Sequence, residues 1–222
     1  MNDQVNILTR TSMRPIGFNR VYSSVKEQTY DNVRHIVSVD NDDTKAYVDS
    51  YNDIHSIDID VDEIIRRDRS KDPNIDNQYP MHFKRSHYNL YCNNLLREVD
   101  SGWVIFLDDD NYFINKNAIS DIFALPNITS RTCIIWRVKF PNNTVIPTRG
   151  TMSDGPTLCN IDTACFAFNI EMMTSDISWD GWKCSDYRFI KKIYDKCSDR
   201  RYIDRPFVNI GQIGDGRQVD IY

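Results

Sequence analysis

Residues Trp103-Val104-Ile105-Phe106-Leu107 form an unbroken apolar run that ends in three consecutive carboxylates, Asp108-Asp109-Asp110. So short a run matches a strand buried on both faces, the habit of parallel sheets. Adjacent carboxylates repel one another and are costly to remove from water. At the carboxyl end of a buried parallel strand they stand where open α/β sheets place their ligands. On extended backbone Asp108 and Asp110 share one side and Asp109 takes the other. The pair at spacing two is a hard-oxygen set of the kind Mg2+ or Mn2+ takes, with water and phosphate oxygens completing the shell. The plain alternative is an acidic, solvated turn.

The chain around this motif alternates strands and helices. Val5-Asn6-Ile7-Leu8 is a short β-like run, and Pro15 opens a helical pattern through Ile16, Val21, Tyr22 and Val25. Val33 to Val39 reads as the next strand and stops at Asp40-Asn41-Asp42-Asp43. Strand, helix, strand makes a βαβ unit with parallel strands and a right-handed crossover. Asp58 to Asp76 is a charged surface loop with a helical turn near Val61–Ile65. Phe83, His87, Tyr91, Leu95 and Val99 recur every four positions, with Tyr88 and Leu96 beside them, and predict a long helix.

The later half changes character. Cys133 to Phe140 predicts a strand, Pro141-Asn142-Asn143 a turn, and Val145-Ile146 the returning arm of a hairpin. Ala164 to Phe168 predicts another strand and Ser185 to Lys196 a helix. Pro206 to Tyr222 reads as loop with a short strand. The expected architecture is α/β, one domain on a mixed central sheet flanked by helices. Its nucleotide-binding half covers about residues 1–112, and its acceptor-binding half about 113–222.

Composition narrows the function classes. A chain of 222 residues with a net charge of −5 has ample core but no basic face for nucleic acid. No apolar run approaches the ~20 residues a membrane helix needs. Met1-Asn2-Asp3-Gln4 has neither the basic start nor the apolar stretch of a secretory leader, so a cytoplasmic location without a transmembrane segment is expected. The six cysteines form no C-x-x-C pair, which argues against a zinc knuckle and for reduced core thiols.

The stretch Asp100-Ser101-Gly102-Trp103-Val104-Ile105-Phe106-Leu107-Asp108-Asp109-Asp110 resembles small bacterial and viral members of the family 2 glycosyltransferases with the GT-A fold. The resemblance runs from about Val5 to Phe189. It implies a metal-dependent, inverting enzyme that moves a sugar from a nucleoside diphosphate, UDP first among the candidates, to a hydroxyl of a glycan or other acceptor. It also implies Mn2+ or Mg2+ as cofactor. Carried over position by position, Thr9 and Thr11 occupy the loop that holds the nucleobase, and Asp40 hydrogen-bonds the base. A carboxylate there accepts from uracil or guanine ring N–H groups, which weakly favours UDP or GDP. Asn93 fits half of an Arg-Asn pair on the helix before the D-x-D strand, and Asn89 matches a second Asn. Cys92 stands where the Arg belongs, so any cation on the diphosphate comes from Lys84, Arg85 or Arg10.

Within the triplet the resemblance gives Asp108 to the ribose, the sugar and the metal, Asp109 to the nucleotide sugar, and Asp110 to the metal. Asp186, at the start of the late helix, takes the part of general base. Trp179 and Trp182 flank it as aromatics able to stack on an acceptor sugar. Asp162 either holds a sugar hydroxyl or forms a turn. No histidine lies late in the chain to complete a metal shell, a place left to water or Asp215. Arg200, Arg201, Arg205 and Arg217 contact phosphate or form a solvated face.

Four rivals share parts of this pattern. A haloacid-dehalogenase-type phosphatase wants Thr or Val where Tyr112 stands, and its motif normally opens the domain. A sugar nucleotidyltransferase wants a glycine-rich basic loop, but Leu8 to Gly17 offers only Gly17. A non-catalytic sugar-nucleotide-binding protein is disfavoured by the intact D-x-D and Asp186. A retaining glycosyltransferase would share the fold and the metal motif.

Overall fold

A nine-stranded mixed sheet carries the chain, in the order β3-β2-β1-β4-β8-β6-β9-β5 with β7 paired to β6 alone. The computed structural model describes residues 3–68 and 85–211, without the side chains of 151–153. The strands are β1 (Val5–Arg10), β2 (Val33–Val39), β3 (Ile54–Asp58), β4 (Trp103–Phe106), β5 (Asn111–Phe113), β6 (Thr132–Lys139), β7 (Val145–Ile146), β8 (Phe166–Asn169) and β9 (Asp199–Ile210). The helices are α1 (Pro15–Lys26), α2 (Asp42–Val48), α3 (Val61–Arg67), α4 (Tyr91–Arg97), α5 (Ala118–Phe123), α6 (Arg149–Asp154) and α7 (Ser185–Lys196).

Strands β3, β2, β1 and β4 are parallel, β8 is antiparallel to β4 and to β6, and β9 is parallel to β6. The parallel half is buried as its sequence requires: Val5, Ile7, Leu8, Ile36, Val37, Val104 and Ile105 are fully inaccessible. Helix α4 packs against β1 and β2, and α1 against β5. Parallel strands end together, so the loops after β1, β2 and β4 gather on one edge of the sheet.

The βαβ unit, the hairpin and helix α7 lie where the sequence places them, within one continuous sheet. Pro15 is at the first turn of α1, and Asn143 takes the left-handed turn conformation (φ 65°) that asparagine tolerates. Other expectations need correction. Ile16 is 44% exposed, and the apolar face of α1 is Phe18, Val21 and Val25. The long helix is a 3-10 turn, His87–Leu90, running into the two-turn α4, and Phe83 lies outside the described residues. The stretch Asp199–Ile210 is a twelve-residue strand, since pairing with β6 overrides its charged sequence. Of the cysteines, Cys159 is exposed and Cys184 half-buried, both at positive φ, while the other four are core thiols.

Candidate active site

Register brings the site together. Leu8 pairs with Phe106, so two residues further on Arg10 stands level with Asp108. The Arg10 guanidinium meets that carboxylate with both edges of its fork, Nε donating to Oδ1 at 2.8 Å and Nη2 to Oδ2 at 2.5 Å. Nη1 donates to Asn89 Oδ1 at 3.1 Å, and the guanidinium lies over the rings of Tyr88 and Trp179. Burial works against its charge, but Asp108 outweighs that and raises its pKa. Of the cations the sequence offered, Lys84 lies outside the described residues, and Arg10 rather than Arg85 stands at the D-x-D.

Asp109 turns the other way. It is 3% exposed, accepts from Arg14 Nη1 at 2.8 Å and receives the Ser12 N–H at 3.4 Å. Burial pushes it up to about 7, opposed by Arg14 and reinforced by Asp110 and Asp108. Helix α1 can approach this turn because residue 17 is glycine: a Cβ there would lie 2.6 Å from the Asp109 carbonyl oxygen. On the other flank a Cβ at Gly211 would lie 2.1 Å from the carbonyl oxygen of Asp110. The acidic turn is gripped by backbone on both sides.

Five side chains expected to touch ligand prove to be internal struts. Thr9 is fully buried and donates to the Leu107 carbonyl at 2.7 Å, so its oxygen accepts from His35 Nε2 at 2.9 Å. That bond fixes the His35 tautomer, and burial lowers the ring pKa to about 4. Thr11 is 3% exposed and shares a 2.8 Å hydrogen bond with the Tyr47 hydroxyl. Asn93 spends its amide on the backbone of Trp179, donating to the carbonyl at 3.0 Å and accepting the N–H at 2.9 Å. Asp109 is held by Arg14. Trp179 is 2% exposed, stacked on Phe189 at 4.9 Å and edge-on to Phe106 at 5.1 Å, so its faces cannot carry a sugar. Its indole N–H has no hydrogen-bond partner among the described residues.

Asp40, Asp108, Asp110, Asp162, Trp182 and Asp186 remain at least partly accessible. Asp40 ends β2, accepts from Asn41 Nδ2 at 2.7 Å and takes the Tyr91 hydroxyl, whose pKa burial and Asp40 push up to about 12. Trp182 lies under the Arg85 guanidinium at 4.0 Å from its ring centre.

Asp186 opens α7. That end of the helix is fixed by Phe189, which packs on Phe168 and Phe106, and by the Arg188–Asp180 fork, in which Nε donates at 2.7 Å. Asn89 links this loop to Arg10 by donating to the Trp182 carbonyl at 2.8 Å. Burial raises the Asp186 pKa, the Tyr187 N–H, Arg10 and Arg188 lower it, and Asp108 raises it. Asp180 and Arg188 were given no part by the sequence reading, because nothing in their local pattern separates them from surface polar residues, and Tyr91 was read only as one of the helix's periodic positions.

Asp162 caps a 3-10 turn, Thr163–Cys165, by accepting from the Ala164 N–H at 2.9 Å. Burial pushes it up to about 7, eased by that N–H and reinforced by Asp186, Asp108 and Asp110. Asp162 thus lies within electrostatic reach of Asp108, Asp110 and Asp186, and Asp186 within reach of Asp108. Asp162→Asn keeps the cap and removes the charge. A folded pKa of about 7 against an ordinary 3.8 means the folded chain keeps a proton that the unfolded one sheds. The stabilisation is full below about pH 4 and is lost as pH rises through about 7. The variant is expected to gain on wild type over that window by roughly 1–4 kcal/mol. Urea melts at about pH 4.5 and about pH 8 measure it, and a constant difference would place the charge in open solvent.

Among the described residues no three His, Cys, Asp or Glu side chains close a metal cage by themselves. The donor set nevertheless suits a divalent cation bound in an open shell. Mg2+ keeps several waters and uses one or two carboxylates with phosphate, and the crowded carboxylates here are short of positive charge. Asp110, half-buried beside the Asp108 fork, is the first candidate ligand, and Asp108 already spends both oxygens on Arg10.

No family model and no curated protein matches the sequence. Solved structures do match in fold. S. aureus TarS 1–349 in complex with UDP-GlcNAc superposes with a TM-score of 0.66 at 14% identity, over 99% of this chain and 61% of that one. The mannosyltransferase PcManGT from Pyrobaculum calidifontis, in complex with GDP-Man and Mn2+, gives 0.59 at 12% identity over 97% and 59%. Glucosyl-3-phosphoglycerate synthase from Mycobacterium tuberculosis, with Mg2+ and UDP, gives 0.57 at 9% identity over 94% and 72%. The chain has the GT-A fold. It spans about 60% of the length of the TarS and PcManGT chains. No helix among the described residues is long and apolar enough to cross a membrane.

Proposed function

We propose that the chain is a divalent-metal-dependent, inverting glycosyltransferase that takes its sugar from a UDP-sugar and delivers it to a hydroxyl of a glycan or similar acceptor. The observation that carries this reading is the chain of hydrogen bonds from the Asp108 carboxylate through Arg10 and Asn89 to the Trp182 carbonyl, four residues before Asp186 on α7. A carboxylate with a raised pKa is thus tied to the D-x-D, at the carboxyl edge of parallel strands where open α/β sheets bind their ligands. Residues 1–112 supply the nucleotide side and residues 113–222 the acceptor side.

In this reading Asp40 accepts the ring N–H of uracil. Asp108, aimed by Arg10, accepts from ribose or donor-sugar hydroxyls, and Asp110 holds Mn2+ or Mg2+. The bound cation neutralises the negative charge that builds on the departing nucleoside diphosphate. Asp186 takes the proton of the acceptor hydroxyl as that oxygen attacks the anomeric carbon from the opposite face, inverting it. Trp182 and Asp162 border the acceptor side.

Calorimetric titration of UDP, GDP, CDP and dTDP, each with Mn2+ and with EDTA, tests this on wild type and Asp110→Ala. Wild type is expected to bind UDP best, with at least roughly tenfold weaker binding once the metal is chelated. In Asp110→Ala the metal dependence is expected to vanish. Failure of every nucleotide to bind would leave the acidic triplet as a charged turn and the fold as a bare analogy.

A further inference from the structure

Away from this site two thiols are set against each other in the core. Cys133 lies on β6 and Cys197 caps the C-terminal end of α7, with their sulfurs 2.9 Å apart. Their approach is built into the backbone: Ser198 and Asp199 both donate to the carbonyl of Arg131, at 3.2 and 3.3 Å, two residues before Cys133. The register of β6 with β9 therefore keeps the sulfurs side by side.

We propose that Cys133 and Cys197 form a redox-active dithiol that closes to an intramolecular disulfide by exchange with a low-molecular-weight disulfide. Cys197 is the attacking sulfur. It is 4% exposed, at a helix end where local opening is cheapest, and the exposed Arg200 guanidinium lies beside it. The hydrogen bond from Cys133, aided by Arg200, lowers its pKa, while the same bond raises that of Cys133. A thiolate near cationic groups is the reactive form. The Cys197 thiolate attacks one sulfur of the small disulfide, forming a mixed disulfide and releasing one small thiolate. Cys133 then gives up its proton to solvent and attacks the Cys197 sulfur, releasing the second. Two protein thiols are oxidised and one small disulfide is reduced to two thiols. The new bond staples the end of α7 to the sheet.

The probe is oxidised glutathione in a graded ratio to reduced glutathione, applied to the folded full chain, followed by alkylation, intact mass and peptide mapping. The expected result is two fewer alkylatable thiols, a cross-linked pair of peptides carrying residues 133 and 197, and a Tm raised by roughly 5–15 °C. Cys133→Ser is expected to trap a stable glutathione adduct on Cys197, and Cys197→Ser to leave Cys133 unmodified. Since the wild-type map needs no variant, a poorly folding substitution does not blunt the test. Glutathione added to the exposed Cys159 or to Cys184 with no 133–197 link would overturn the proposal. So would a link that forms only in urea.

Discussion

Asp186→Asn is expected to lower kcat by roughly 10²- to 10⁴-fold while leaving metal-dependent UDP binding at its wild-type strength. The amide keeps the size of the carboxylate and can still accept the Tyr187 N–H, so the first turn of α7 has no reason to move. What disappears is the capacity to take a proton. The loss therefore falls on kcat and kcat/KM together and spares nucleotide affinity, the signature of an interaction made only in the transition state. Wild-type kcat/KM is expected to fall on the acid side with an apparent pKa above the ordinary carboxylate range, because burial raises that of Asp186. That limb should be missing from the residual activity of the variant. Stopped turnover assays across pH, paired with UDP titrations, measure both parts. Unchanged turnover would remove Asp186 from the chemistry. Lost UDP binding would instead make it part of the donor site.

The parts of this molecule legible in the sequence are those with a strong local signal. The run before Asp108 and the apolar stretch from Val33 to Val39 announce buried parallel strands, and the spacing of Tyr187, Ile190, Ile193 and Tyr194 announces α7, whose buried face proves to hold Phe189 with Ile190 and Ile193. The order of strands in the later half carried no such signal. Strand β9 is rich in arginine and aspartate and is a strand because β6 pairs with it. Short elements such as β3, β5 and α2 were likewise invisible, being too brief for periodicity to register.

At the site the residue types were legible and their directions were not. A threonine at the end of β1 is equally suited to a nucleobase or to the buried His35 and Leu107, and only the packing of β2 and β4 decides. The same holds for Asn93, which a surface helix would have left free but which the 179–184 loop claims for its own backbone. Asp109 was read opposite Asp108 on extended backbone, but the triplet is a turn closed by the Asn111 N–H on the Asp108 carbonyl at 2.9 Å, and Arg14 holds the Asp109 side chain there.

Arg10 was legible as a candidate cation but its partner was not, since only the register of β1 with β4 sets it on Asp108, and its removal is the second large effect. Arg10→Met is expected to destabilise the fold by roughly 2–4 kcal/mol. Methionine keeps an unbranched stem of similar length but loses the guanidinium over Tyr88 and Trp179, and the larger loss comes from leaving Asp108 charged and unpaired where its side chain is only 22% exposed. Lysine is expected to restore part of it, since a point charge cannot fork across both oxygens and reach Asn89 as well. The double variant Arg10→Met, Asp108→Asn is expected to regain most of the stability, because the orphaned charge goes with its partner. Thermal and urea melts of the four proteins close the cycle. If the single and double variants are equally destabilised, packing rather than charge explains Arg10. A neutral single variant would show that the fork does not persist in solution. A positive result has a consequence for the site. Arg10 then joins β1, the D-x-D and, through Asn89, the loop before Asp186, so that the carboxylates proposed for the donor and for the base are tied to one cation before any ligand arrives.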